Sequence, residues 1–181
     1  MLHSFGEGRI LRYIHSELFV IMEHPNRTAR DRLDLRLLDL LQRRGALSVA
    51  EVASQLRLST TTCWRRIQLL EQSGVIKGRV ALLDRNALGL DVTMFAQVKL
   101  ATTGRDAIAT FEEAIRNRAE VLECYTLTGE WDFLLKIVTR NVKAYEAFYL
   151  DYLSRIPCVQ SVNSSVAMSI IKESTALPLG V

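Results

Sequence analysis

The sequence predicts a two-part α+β chain, a winged helix-turn-helix domain followed by a ferredoxin-like βαββαβ domain. Three observations predict it. Helix caps and helical apolar spacing recur between residues 33 and 74. Beyond residue 92, strand alternation and helical spacing follow one another in the order β-α-β-β-α-β. Charge is also divided unevenly: the net +3 of the chain resolves into 0 over residues 1–31, +5 over 32–79 and −2 over 84–181.

The first helix is expected over residues 33–44. Leu33, Leu37, Leu40 and Leu41 share a face, and Gly45 follows Arg43 and Arg44 where a helix C-terminus favours glycine and positive charge. Ser48-Val-Ala-Glu51 has the form of a capping box and opens a second helix over 49–56, with Val52, Ala53 and Leu56 inward. After the short break at Arg57-Leu58, Ser59 is an N-cap for a third helix from Thr60 to about Ser73, stopped by Gly74. Cys63, Ile67 and Leu70 fall on its inner face. Thr61, Arg65, Gln68 and Gln72 fall on the outer one, with Trp64 and Leu69 on the flanks. Residues 75–83 read as a strand-rich connection with a turn at Lys77-Gly78, a small wing or linker.

In the second half, Met94, Ala96, Val98 and Leu100 alternate with Thr93, Phe95, Gln97 and Lys99 in a first strand. A helix follows over 106–116, a second strand over 121–128, a tight turn at Gly129-Glu130-Trp131 and a third strand over 132–138. One amphipathic helix is expected over 141–156, ended by Pro157, and a last strand over 159–170. This order is that of an antiparallel four-stranded sheet with both helices on one face. Phe133, Leu135 and Ile137 alternate with Leu134 and Val138, so the third strand reads as apolar on both sides. The uncovered face then calls for a partner subunit or, as the alternative, for the N-terminal domain. The expected organisation is an extension over 1–31, a helix-turn-helix domain over 32–79, a linker over 80–91, the ferredoxin-like domain over 92–174 and a tail over 175–181.

Composition narrows the function classes. Cys63, Cys124 and Cys158 are far apart, odd in number and without ligand spacing, which is reduced, cytoplasmic usage. The apolar stretch from Leu18 to Met22 is too short to span a bilayer and has no cleavage site, so neither a membrane segment nor a signal peptide is expected. His3, His15 and His24 all precede residue 25. That removes most zinc sites and imidazole catalysis from the body of the chain. Carboxylates are scattered, and Glu112-Glu113 reads as an exposed helix face. No enzyme, no metal and no cofactor are expected.

Two short helices joined by a tight turn, the second presenting Thr, Arg and Gln, suit insertion into the major groove of double-stranded DNA. Arginine pairs bidentately with guanine, glutamine with adenine, and a threonine methyl meets the thymine methyl. Ser59, Thr60, Thr61, Thr62, Trp64, Arg65 and Gln68 are therefore the expected DNA-contacting residues of the third helix, with Lys77 and Arg79 on flanking phosphates. A three-helix core that never meets DNA has the same apolar pattern. The +5 charge of this segment is what favours DNA.

Leu33-Asp34, the run Leu58-Ser-Thr-Thr-Thr-Cys-Trp-Arg-Arg-Ile-Gln-Leu-Leu-Glu71, Gly74-Val-Ile-Lys-Gly78 and Thr128-Gly-Glu-Trp-Asp-Phe-Leu-Leu-Lys136 resemble the Lrp/AsnC (leucine-responsive, feast/famine) family of transcription regulators. The resemblance covers residues 32 to about 174. It implies a DNA-binding regulator that dimerises through the sheet face, assembles further into tetramers or octamers, and binds an amino acid or related metabolite near Thr128, Gly129, Glu130, Trp131 and Asp132. In that turn, Gly129 would let the backbone approach a ligand, exposed N–H groups would hold a carboxylate, and Asp132 would accept from an α-amino group. Trp131 would wall the pocket or cap the dimer core, and an ordinary hairpin with a packed tryptophan is the alternative. Two departures stand out. Thr62 occupies a position where many relatives have proline, which bears on the DNA sequence read. The N-terminal extension is longer than is usual, so Met22 is an alternative start, the other reading being a helical dimerisation arm. Some proteins similar to this family in both domains are decarboxylases of a siroheme-type tetrapyrrole that carry histidines in the second domain. The absence of histidine after His24 disfavours that alternative.

Overall fold

A computed structural model of the protein describes residues 31–181. The expectations about an alternative start at Met22 and a helical arm lie outside the described residues. By their contacts these residues divide into two compact units, one made of 84–170 and the other of the segment up to residue 83 together with 171–181.

In the helical unit, α1 (Arg32–Arg43) begins where the Asp31 carboxylate accepts the Asp34 N–H at 2.7 Å. α2 (Val49–Leu56) opens on the capping box read from the sequence. The Ser48 hydroxyl accepts the Glu51 N–H, and Glu51 in turn accepts the Ser48 N–H at 2.7 Å. α3 (Thr60–Gln72) starts at Ser59, whose hydroxyl accepts the Thr62 N–H. Leu37, Leu41, Val52, Ala53, Cys63, Ile67 and Leu70 close the core between the three helices.

The turn joining α2 to α3 is made by Arg57 in the left-handed region (φ 56°), with the Leu58 N–H returning to the Ala53 carbonyl at 2.9 Å. An L-residue adopts this conformation at a cost of about 1 kcal/mol, and the sharp reversal it gives lets α3 start at once. At the other end of α3, Gly74 (φ 71°) makes the equivalent turn, and the Val75 N–H reaches the Leu70 carbonyl.

The connection over 75–83 differs from expectation: it contains no strand. Val75 and Ile76 pack on the helical core, but among the described residues no strand pairs with the rest to complete a ladder. Val80, Leu82 and Leu83 are consequently 85%, 74% and 74% exposed.

The second unit holds β1 (Val92–Leu100), α4 (Arg105–Arg116), β2 (Val121–Thr126), β3 (Phe133–Thr139), α5 (Val142–Asp151), a 3-10 turn (Leu153–Arg155) and β4 (Val159–Val166). The sheet order is β2-β3-β1-β4, antiparallel throughout, with Ala96 opposite Leu135 on one side and Ser164 on the other. Met94, Ala96, Val98 and Leu100 of β1 and Phe133, Leu135 and Ile137 of β3 bury one face against Phe111 and Ile115 of α4 and Tyr145 and Phe148 of α5.

Three boundaries depart from the sequence reading. β2 ends at Thr126 instead of residue 128, and β4 ends at Val166 instead of 170 because its last partner, Met94, lies near the start of β1. The single helix expected over 141–156 breaks at Tyr152 (φ −133°, ψ −68°). There the Tyr152 hydroxyl donates to the Ala114 carbonyl of α4, and the Arg118 guanidinium stacks 3.2 Å from its ring centre.

The other sheet face is mixed instead of uniformly apolar. Phe95, Leu134 and Tyr125 sit there beside Gln97, Asn163 and a Lys136–Glu123 ion pair at 3.0 Å. Among the described residues of this face, Val138 and its cross-strand partner Thr93, at one end, are the buried ones.

Candidate nucleic-acid interface and effector turn

At the start of α3, Ser59 and Thr62 engage each other. The Ser59 hydroxyl donates to the Thr62 hydroxyl at 2.8 Å while accepting the Thr62 N–H at 3.2 Å. Both side chains thus shape the cap. Thr60 and Thr61 stand exposed beside them, on a helix turn whose first N–H groups have no helical carbonyl to reach. One turn further, Arg65 is exposed and free of ion pairs with the described residues. Trp64 and Leu69 flank this strip at 55% and 56% exposure. The exposed end of α3 therefore presents two hydroxyls, open backbone donors and an uncommitted guanidinium, a surface suited to phosphate and base edges.

Gln68, Arg79 and Lys77 are placed differently. The Gln68 amide donates to Glu71 at 3.1 Å, and the other Glu71 oxygen lies 3.8 Å from the Arg79 guanidinium. Glu71 thus ties two of the expected DNA-contacting residues together. The sequence reading passed over it, although its spacing of three from Gln68 on one helix was the available signal. Lys77 is exposed, as is Arg57 at the inter-helix turn.

Arg66, next to Arg65 and about 100° further round the helix, is half-buried and committed. Its guanidinium bonds Asp31 and Asp34 of the first helical turn at 2.7 Å each and is 24% exposed. The two carboxylates raise the Arg66 pKa above its ordinary value, and the Asp31 carboxyl is held below its own, chiefly by the Asp34 N–H and then by Arg66. This fork pins α3 to the start of α1 and so sets how the Arg65 face is presented.

In the sheet unit, the turn between β2 and β3 holds Thr128, Gly129, Glu130, Trp131 and Asp132. Gly129 has φ +120°, a conformation reserved in practice for glycine. None of the described residues lies within 4 Å of where a Cβ would stand, so glycine is there for the backbone conformation and not for a close approach by them. Thr128 and Glu130 are exposed, and Trp131 is half-buried.

Asp132 is committed at both ends. Its backbone N–H donates to the Val98 carbonyl at 2.9 Å and its carbonyl accepts the Leu127 N–H at 2.8 Å. One carboxylate oxygen accepts the Leu100 N–H at 2.8 Å, and the other lies 3.5 Å from the Lys99 ammonium. Asp132 fastens the turn to the end of β1, and Lys99 joins the site from an alternating position on that strand. Among the described residues no helix is long and apolar enough to cross a membrane, and no three metal-ligating side chains cluster.

Comparison with known proteins decides the family. Residues 30–77 match the winged helix-turn-helix DNA-binding model, and residues 93–177 match that of the Lrp/AsnC ligand binding domain. The chain belongs to the Lrp/AsnC family. It is 38% identical over 149 residues to the glutamate uptake regulatory protein of Zymomonas mobilis, covering 82% of this chain and 90% of that one. It is 36% identical over 149 residues to the DNA-binding transcriptional activator DecR of Escherichia coli, covering 82% and 98%. Among solved structures, a Neisseria meningitidis transcriptional regulator in complex with L-Met superposes with TM-score 0.81 at 34% identity, covering 84% of this chain and 98% of that one. An AsnC family regulator from Agrobacterium tumefaciens superposes with TM-score 0.79 at 41% identity, covering 83% and 97%. As a member of this family the chain is a DNA-binding transcription regulator with a small-molecule-binding domain, and the antiparallel sheet with two helices on one face is the family fold.

Proposed function

We propose that the chain acts as a cytoplasmic homodimer, able to assemble further into tetramers or octamers, that reads DNA with α3 and is controlled by an amino acid bound at the turn between β2 and β3. The reading is supported above all by the exposed strip Thr60, Thr61 and Arg65 on a helix pinned by Arg66. Arg65 reads a base, Thr60, Thr61 and the first-turn N–H groups hold a phosphate, and Lys77 and Arg57 add phosphate contacts beside them. Trp64 lies against sugar or a thymine methyl. Gln68 and Arg79 reach DNA by releasing Glu71, so their contribution is smaller than that of Arg65.

For the effector, the geometry favours a role for backbone over side chain. The Asp132 carboxylate is already used by Leu100 and Lys99, so it orders the turn, while the exposed backbone of Thr128, Gly129 and Glu130 supplies N–H donors for a carboxylate-bearing ligand. Trp131 walls the site. The Neisseria regulator, solved with L-Met, favours an amino acid. The relatives named above are transcription regulators, which favours this reading over a tetrapyrrole decarboxylase.

The test is a thermal-shift screen of the twenty amino acids against the intact protein. A ligand at 100 times its Kd raises native stability by about 2.7 kcal/mol. The expected result is a shift with one or a few chemically related amino acids that Gly129→Ala abolishes. A screen in which no amino acid shifts unfolding contradicts the effector assignment.

A further inference from the structure

The last eleven residues of the chain do not stay with the sheet they leave. After β4 ends at Val166, residues 171–181 group with the helical unit. The contact that holds them is specific. The Gln42 side-chain amide of α1 donates to the Leu177 carbonyl at 3.0 Å and accepts the Leu177 N–H at 2.8 Å. One side chain therefore satisfies both backbone groups of one residue, as a neighbouring β-strand would.

Gln42 is itself held for this task. Its amide also donates to Asp39 at 3.0 Å, and Asp39 is in turn bonded by the Arg43 guanidinium at 3.0 Å. The orientation that meets Leu177 is thus set by neighbours on α1. Val181, further along the segment, helps line an open hollow of about 320 Å³ with Leu40, Arg44 and Leu56.

The docking is shallow. Ile171, Leu177 and Val181 remain 92%, 66% and 54% exposed, and the two bonds to Gln42 are at the surface. Contacts of this kind hold docked and free states within about one or two powers of ten of each other, a range that a modest signal can shift. The segment also starts from a significant place. β4 pairs with β1, and β1 is the strand whose Val98 carbonyl and Leu100 N–H bind Asp132 of the effector turn.

We propose that residues 171–181 form a releasable strap, docked on Gln42, that gives the DNA-binding domain a second attachment to the sheet domain beside the linker and so restrains it for binding paired half-sites. With the linker alone, each DNA-binding domain searches a larger volume, and its effective concentration at the second half-site falls. The strap acts on pairing and not on how α3 reads a base. This inference rests on the dimeric reading given above.

The test uses the intact chain, a Gln42→Leu variant and a chain stopped after residue 170. Hydrogen exchange at the Leu177 amide examines docking without DNA. Slowing of at least fivefold in the wild type, lost in Gln42→Leu while α1 to α3 stay protected, is the expected result. Free exchange at Leu177 in the wild type overturns the strap. Affinity is then measured on a duplex selected in vitro by the wild-type protein and on its half-length version. Both variants are expected to bind the full duplex three- to tenfold more weakly and the half duplex equally well. Unchanged affinity for the full duplex overturns the restraining role. An equal loss on both duplexes also overturns it, by showing that Gln42 acts through folding of the domain. If the wild type gains nothing from the second half-site yet Leu177 is protected, the dimeric reading fails, and with it the restraint.

Discussion

Arg65 and Arg66 are adjacent, equally charged and on the same helix, yet the structure gives them opposite tasks, and replacing each by alanine separates them. The Arg66 guanidinium and the Asp34 carboxylate it binds at 2.7 Å are 24% and 21% exposed, so their pair is only partly solvated. Losing it leaves Asp34 partly buried and unpaired. The second arm, to Asp31, lies half in water and adds little. Together with the packing of the Arg66 stem, Arg66→Ala is expected to destabilise the helical unit by about 2 kcal/mol, roughly a thirtyfold change in its folding equilibrium. Arg65→Ala removes an exposed side chain that has no ion-pair partner among the described residues, so stability should change by less than about 0.5 kcal/mol. Its binding to a selected duplex should instead weaken by about 1 to 3 kcal/mol, with relaxed preference at one base pair. Denaturant unfolding followed by Trp64 fluorescence in a Trp131→Phe background reads the helical unit alone, and fluorescence anisotropy reads DNA binding. If Arg66→Ala unfolds at the wild-type denaturant concentration, or if Arg65→Ala is as destabilised as Arg66→Ala, the assignment of the two arginines is refuted.

Further outcomes follow from other sites. Arg57→Gly relieves the left-handed turn between α2 and α3 and should stabilise the helical unit by about 1 kcal/mol, measured by the same unfolding assay; a loss of stability would contradict the φ of 56°. Asp132→Ala strands the buried Leu100 N–H and should lower the stability of the sheet unit by about 1 to 2 kcal/mol, whereas Asp132→Asn, which keeps an acceptor, should recover most of it; equal losses would place the effect in the charge alone. In acid, Asp31, Asp39 and Glu51 carry pKa values lowered chiefly by the Asp34 N–H, the Gln42 amide and the Ser48 hydroxyl respectively. Because these folded-state values lie below the unfolded ones, their contribution is complete above about pH 5 and disappears as pH falls through about 4 and below. Unfolding midpoints should therefore be flat from neutral pH to about 5 and fall below it, less steeply in Asp39→Asn.

What could be read in the sequence was whatever is decided locally. Ser48 with Glu51, Ser59 before Thr60, and the alternation from Thr93 to Leu100 each carry their structural consequence within four to eight residues, and the structure places caps and strand there. What was not legible depends on residues far apart in the chain. The break at Tyr152 comes from a hydroxyl meeting Ala114, and the commitment of Asp132 comes from Leu100 on another strand. The Gln42–Leu177 contact joins positions 135 residues apart. The strand expected in 75–83 failed for the complementary reason: its composition is strand-like, but a ladder needs a neighbour, and none of the described residues pairs with it. At the candidate interface, helical angle alone placed Arg65 outward, while the sharing of Glu71 between Gln68 and Arg79 required the position of Arg79 in three dimensions.

The most direct test of the account is the salt dependence of binding to a duplex selected by the protein, compared with a scrambled duplex of the same composition. If each protomer of a dimer places Arg57 and Lys77 on phosphates, four phosphates are neutralised, and the slope of log K against log salt should be about −3.6. The selected duplex should be bound at least 1,000-fold more tightly, on the order of typical specific recognition, at every salt concentration. Binding that is flat in salt, or equal for the selected and scrambled duplexes, would contradict the account of α3 as the reader of DNA in this protein.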